Sequence, residues 1–266
     1  MGNVISFCSG KGGVGKTTLV ANLGCLIAQN HRKTLLIDGD WNLGKLNISL
    51  GAKSFATWDG ILSKSYSLKE AIQQLDDNLF FIASPSGKLG LEEMTPDLRS
   101  QIFFELEGVI KDYDHILFDH SSGINLSVLD FAAASQQHVI VTTPEPTSYT
   151  DAYAIMKLLS RKYAVKEFLL LVMMSREQMQ TQGVMDRFLS VVYQQLNVKV
   201  NLMGIIPWDA RFSEAIFKRN AFVNMFPSDP LTYQLRKISE AILEQDVQIK
   251  TGLQFSSEAY AYKEAI

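Results

Sequence analysis

The sequence predicts an α/β fold of three layers, in which helices cover both faces of a mostly parallel, twisted sheet of about seven or eight strands. Three observations lead there. Short, almost wholly apolar runs recur along the chain, and each is followed by a stretch with helical periodicity. The turn after the first run is a glycine-rich loop that opens directly into a helical pattern.

Taken in order, strands are read at VISFCS, TLLID, LFFIAS, HILFD, HVIVTT, FLLLVMM and VNLMGIIP. Strands covered on both faces read as such solid apolar runs, because neither side meets water. Helical patterns lie near 16–29, 97–111, 125–134, 148–162, 177–196 and 230–245. No Pro/Gly/Ser-rich linker, low-complexity tract or repeat divides the chain. Residues 1–266 are therefore read as one domain, with 246–266 as a C-terminal tail.

Composition excludes several classes. Hydrophobic residues at 47% and charged ones at 20% describe a globule with a sizeable core. A formal charge of −3 gives no general attraction to nucleic acid or anionic membrane. The two cysteines, Cys8 and Cys25, lack metal-ligand spacing and read as small buried hydrophobes in a reducing compartment. The loop at 10–16 interrupts any secretory leader, and the longest apolar run, 168–174, is too short to span a bilayer. The expected setting is the cytoplasm, with at most a peripheral place at the inner face of the cell membrane.

In an open parallel sheet, ligands bind beyond the carboxyl ends of the strands. The loop after the first strand, SGKGGVGKTT, satisfies G-x-x-x-x-G-K-[ST] between a strand and a helix, where its mechanism requires it. Its glycines let several N–H groups turn toward phosphate oxygens, and the helix adds its positive N-terminal end. Gly10, Lys11, Gly12, Gly13, Val14, Gly15, Lys16, Thr17 and Thr18 are thus expected to contact a nucleotide. Lys16 is expected to bridge the β- and γ-phosphates, and the Thr17 hydroxyl to ligate Mg²⁺.

Two further carboxylate positions follow strands. TLLIDGDWNLG carries Asp38 and Asp40, which alternation would put on one side of an extended chain, placed to order an attacking or Mg²⁺-bound water. The other reading of Asp-Gly-Asp is a turn initiator. HILFDHSSG closes an apolar strand with Asp119, a pattern that holds Mg²⁺ through water. His120 beside it reads either as a structural histidine or as a pH-sensitive group.

KGGVGKT resembles the deviant Walker A of the MinD/ParA ATPases, SIMIBI-class P-loop NTPases in which the first lysine crosses a nucleotide-sandwich dimer to the partner's phosphates. That resemblance implies ATP and ADP as ligands, Mg²⁺ as metal, slow partner-stimulated ATP hydrolysis and an ATP-state homodimer. It gives Lys11 the crossing role, against the alternative of a solvated surface lysine. It also gives Asp40 the placement of the hydrolytic water in switch I, and Asp38 a position near the metal. Lys11, Lys16, Asp40 and Asp119 are the catalytic set so implied, and Thr17, Asp38 and Asp119 the metal set.

HVIVTTPEPTSYTDAYAIMKLL resembles the FlhG/FleN (YlxH) branch, whose members regulate the number and placement of bacterial flagella. Pro144 and Pro146 stiffen the strand exit there, and Thr147 or Ser148 can cap the next helix. DGDWNLGKLNISLG and GIIPWDARFSEAIFKRNAFVNMFPSDP resemble further segments of the branch, so the likeness runs from residue 3 to about 243. It implies a protein partner: the flagellar GTPase FlhF, a flagellar switch component or a transcription regulator. The N-terminal extension with which FlhG proteins stimulate FlhF has no counterpart here, so that activity is not carried over.

Several residues depart from the family. Lys45 replaces an asparagine of switch I, His120 a small hydroxyl residue of switch II, and Ser175 an asparagine that usually contacts adenine. Ser175, Arg176, Pro207 and Asp209 are left as candidates for the base or ribose. These departures motivate an alternative, a nucleotide-holding scaffold or anti-activator with little turnover. A partition ATPase on DNA would need a basic surface, for which Arg211, Lys218 and Arg219 are a modest cluster that the acidic total opposes. Phe255, Ala259, Tyr262 and Ile266 could form a helical stripe, but the surrounding tail lacks the cationic side of a membrane-surface helix.

Overall fold

In the computed structural model, which describes residues 2–41, 44–53, 56–84 and 95–244, each of the seven apolar runs is a strand and each expected helix is present. The first half runs β1 (Asn3–Cys8), α1 (Lys16–Gln29), β2 (Thr34–Gly39), α2 (Leu46–Leu50), α3 (Trp58–Leu62), α4 (Leu68–Ala71), β3 (Gln73–Asp76) and β4 (Leu79–Ile82). Then come α5 (Pro96–Ile110), β5 (His115–His120), α6 (Leu126–Ala134), β6 (Gln137–Thr142) and α7 (Pro146–Tyr163). The chain continues through β7 (Glu167–Ser175), α8 (Gln178–Leu196), β8 (Lys199–Pro207), α9 (Arg211–Phe217), α10 (Phe222–Met225) and α11 (Pro230–Leu243).

The sheet has eight strands in the order β3-β4-β2-β5-β1-β6-β7-β8, parallel throughout except for the β3–β4 pair at one edge. β1 lies between β5 and β6. The chain leaves it on one side toward β2, returns through β5 and crosses to β6, so the loop after β1 sits at the switch point. In the register of the central strands, Asp119 is the Cα partner of both Phe7 and Asp38.

Alternation along the strands sorts the core by face. Ile5 and Phe7 of β1 join Leu36, Leu117 and Val139 beneath α1 and α11. On the other face Val4 packs with Leu35, Ile116, α3 and α5, while Cys8 packs with Ile140, Leu170 and α6 to α8. Burial pushes both the Cys8 and Cys25 thiols up to about 12, which fits their reading as small hydrophobes.

Three local expectations change. β2 ends at Gly39, and the Asp40 N–H turns back to the Asp38 carboxylate at 3.2 Å, so Asp38 and Asp40 do not project side by side from an extended chain. An Asx turn, the local alternative open to aspartate, ends the strand. α7 starts at Pro146, because the fixed φ of proline suits the first helical position. Its N-cap is Glu145, without a side-chain cap, and Ser148 instead accepts from the Thr143 N–H at 3.0 Å and bonds the Thr142 hydroxyl at 2.9 Å. The final helix ends at Leu243, and residues 246–266, with the stripe read there, lie outside the described residues. Among the described residues no helix is long and apolar enough to cross a membrane.

Candidate nucleotide site

The loop between β1 and α1 turns on two left-handed glycines, Gly13 at φ +79° and Gly15 at φ +90°. Both positions need a residue without a Cβ. Gly10 serves close approach instead: a Cβ there would lie 2.3 Å from that of Asp151, so α7 abuts the loop. Gly15 is the N-cap of α1 and brings no side-chain acceptor, so the first turn of a fourteen-residue helix faces the loop uncapped by side chains. Backbone donors and helix dipole together make such an end a phosphate site. Thr17 and Thr18 stand half-buried in that turn.

Lys16 is 7% exposed and donates to the Asp119 carboxylate and to the His120 carbonyl. Asp119 is 1% exposed, at the end of β5. Asp38, equally buried on the neighbouring strand, accepts from the Leu46 N–H at 3.0 Å as well as from Asp40. Burial first, and the Asp119 charge second, push the Asp38 carboxyl up to about 7. Lys16, Asp38 and Asp119 thus converge beneath the loop, while Asp40 is half-buried beyond the strand and Lys45 is exposed. Two buried carboxylates and the Thr17 hydroxyl are an all-oxygen donor set, which suits a hard divalent cation. The Gly123 N–H donates to the Ser9 carbonyl at 2.9 Å and fastens the segment after β5 to the loop.

Lys11 lies on the outside of the loop. Its ammonium meets Glu145 at 2.5 Å and the Thr147 hydroxyl at 3.5 Å, and the side chains of the ion pair are 42% and 61% exposed. The two lysines of the loop therefore face different surroundings. The acceptor in TTPEPTS was missed from sequence, where that stretch was read only for chain stiffness; an exposed glutamate at a helix N-cap was the available signal.

His120 is structural in its contacts. Its Nε2 lies 2.6 Å from the Ser6 hydroxyl, and its ring stacks on Phe118 at 4.4 Å. Burial, with Lys16 and His138 adding to it, holds its pKa well below the usual histidine range. The ring is neutral at physiological pH, which removes it as a pH-sensing group.

On the β7–β8 side the expected base residues separate. Ser175 is 2% exposed and turned into the fold, with its hydroxyl 2.8 Å from that of Thr181. Arg176 is exposed and Pro207 half-buried. Asp209 is gripped by Arg211, whose Nε lies 3.0 Å from Oδ1 and whose Nη2 lies 2.6 Å from Oδ2. Arg211 also reaches Asp229 at 2.5 Å and stands over the Phe222 and Phe226 rings. Since Lys218 pairs with Glu214 at 2.7 Å, two of the three cations read as a basic cluster are already neutralised. The side chains that do approach the loop here are Met173 and Met174, whose methyl carbons lie 3.1 and 3.5 Å from where a Cβ on Gly15 would stand.

Comparison with known proteins agrees with this site. A family model described as an AAA domain matches residues 2–169, more than half of the chain. The chain belongs to this family, as a MinD/ParA-type P-loop ATPase of the FlhG/FleN branch. It is 26% identical over 239 residues to the antiactivator FleN of Pseudomonas aeruginosa, covering 90% of this chain and 85% of that protein. It is 27% identical over 249 residues to the flagellum site-determining protein YlxH of Helicobacter pylori, covering 93% and 83%. Among solved structures, the septum site-determining protein MinD of Pyrococcus horikoshii, complexed with Mg-ADP, superposes with a TM-score of 0.73. That match is 24% identical and covers 92% of this chain and 97% of the other, a likeness of fold.

Proposed function

We propose that the chain is an ATP-hydrolysing dimerisation switch that regulates the number or placement of flagella through a protein partner. The observation that carries it is the convergence of Lys16, Asp38 and Asp119 beneath the loop, with Lys11 held apart on its outer side. In this reading Lys16 leaves Asp119 for the β- and γ-phosphates, and the N–H groups of residues 12–18 hold the phosphate oxygens. Thr17, with Asp38 and Asp119 through water, would hold Mg²⁺, which when bound neutralises charge on the phosphate oxygens. Asp40 positions the attacking water, and Lys11 exchanges Glu145 for the phosphates of a second copy.

The MinD structure with Mg-ADP supports the ligand, and the FleN and YlxH names support a flagellar role. A transcription regulator, the GTPase FlhF and a flagellar switch component are the partner classes, and the place of action is the cytoplasm. The neutralised cations on α9 argue against DNA.

Light scattering during size exclusion tests the switch. Asp40→Ala protein is expected to dimerise with Mg-ATP, and the added Lys11→Ala change to leave it monomeric. A monomer in both, or a dimer that ignores Lys11, refutes the reading. Phosphate release that disappears in Lys16→Ala separates a turning-over switch from a scaffold that only holds nucleotide.

A further inference from the structure

The two metal-set carboxylates lie on β2 and β5, to one side of the loop. The γ-phosphate belongs beside them, so the nucleoside must extend to the opposite side, toward the ends of β7 and β8. What waits there is set by an irregularity in β7. Its register with β8 shifts between Val172 and Ser175, and Met174 takes φ +60°, an uncommon backbone for a side chain of this size. The bulge turns Ser175 inward to Thr181 and leaves Met174, 38% exposed, with its methyl against the Gly15 position.

We propose that Met174 is the base-contact residue of this site, and that its apolar thioether lets the site take adenine and guanine nucleotides alike. This rests on the nucleotide-switch reading above and deepens it. Purines are told apart by edge hydrogen bonds, since adenine presents N6–H₂ beside N7 where guanine presents O6 beside N7. A site built to bond one edge rejects the other strongly, because its polar groups are left unpaired. A thioether packs on either purine face by dispersion and sulfur–aromatic contact, and makes no such distinction. The polar side chains expected to read the base are engaged elsewhere, Ser175 with Thr181 and Asp209 with Arg211.

The test is calorimetric titration of the full chain with Mg-ADP and Mg-GDP. The two dissociation constants are expected within about tenfold of each other, well below the discrimination of a hydrogen-bonding site. Met174→Asn is expected to move the ratio at least about tenfold toward ADP, since asparagine tolerates the left-handed backbone and can pair with adenine N6 and N7. Met174→Leu, which keeps an apolar contact, is expected to hold the parent's ratio. A parent preference for ADP beyond tenfold overturns the proposal, and so does an Asn variant whose ratio does not move. Failure of the underlying reading looks different: the parent binds neither nucleotide, or Lys16→Ala binds both as well as the parent does, and the proposal falls with it.

Discussion

Asp38 should make the nucleotide-free protein less stable as pH rises, and Asp38→Asn isolates the effect. Its carboxyl is pushed up to about 7 in the folded chain, against 3.8 when unperturbed. Between those values the unfolded chain has released the proton and the folded chain still holds it. Stability therefore falls as pH climbs through this window and levels off above about 7, opposite in sign to a salt-bridged aspartate. At 1.36 kcal/mol per pH unit the full loss is on the order of 4 kcal/mol, of which roughly 3 kcal/mol falls between about pH 5 and pH 8. Asparagine keeps the shape and carries no proton to lose, although it gives up one acceptor for the Asp40 and Leu46 N–H groups, a pH-independent cost of about 1 kcal/mol. The assay is urea unfolding of both proteins in EDTA at the two pH values. The stability of the variant minus that of the parent is expected to rise by roughly 3 kcal/mol from the lower pH to the higher. A difference that stays flat would refute the account of Asp38 as a desolvated, uncompensated carboxyl.

Other expectations follow from neighbouring contacts. His120→Ala removes a buried ring stacked on Phe118 and bonded to Ser6, and is expected to lower the unfolding free energy by about 3 kcal/mol in urea. Because burial depresses the pKa of that ring, it contributes stability that is present above the ordinary histidine range and lost as pH falls below it. A His120→Asn variant should show a flatter acid limb in melting temperature between about pH 6.5 and pH 5 than the parent. Arg211→Met should lower the melting temperature near neutral pH and converge with the parent in acid, since Arg211 holds the Asp209 and Asp229 carboxyls below their usual range. Glu145→Gln breaks a pair whose side chains are both well exposed, so melting should hardly change. Light scattering should nevertheless show the ATP-dependent dimer forming at a several-fold lower protein concentration, because Lys11 no longer has a carboxylate to leave.

What was legible in the sequence was what local chemistry dictates. α1 was read at 16–29 and is observed there, because a glycine loop must end where the first helical turn receives Lys16. The buried strands declared themselves as solid apolar runs, whereas β3, with the sequence QQLD at a sheet edge, looked like loop because alternate residues meet water. The helices α2, α3, α4 and α10 have only four or five residues each, too few for a 3.6-residue period to emerge. At the site, the residues with a phosphate or metal logic were placed correctly beside one another, and those facing the nucleoside were not. A single bulge in β7 exchanged Ser175 for Met174, and one inserted residue leaves no trace in hydrophobic patterning. Arg211 misled for a related reason, since one of its two carboxylates comes from eighteen residues further along the chain.

The contrast between the two loop lysines then turns on burial. Lys16 and Asp119 form an ion pair that is almost wholly enclosed, and a buried pair stripped of one partner leaves a charge without compensation. Lys16 can leave Asp119 only as other charges arrive at both ends, phosphate for the ammonium and a cation for the carboxylate, so its movement is bound to nucleotide entry. Lys11 and Glu145 lie in water, and their separation costs about 1 kcal/mol or less. Glu145 keeps the favourable field of the α7 N-terminus after Lys11 has gone, which lowers that cost further. An exposed pair of this kind can exchange partners on encounter, so Lys11 answers to a second molecule while Lys16 answers to the ligand, and the two events are ordered: nucleotide first, then association.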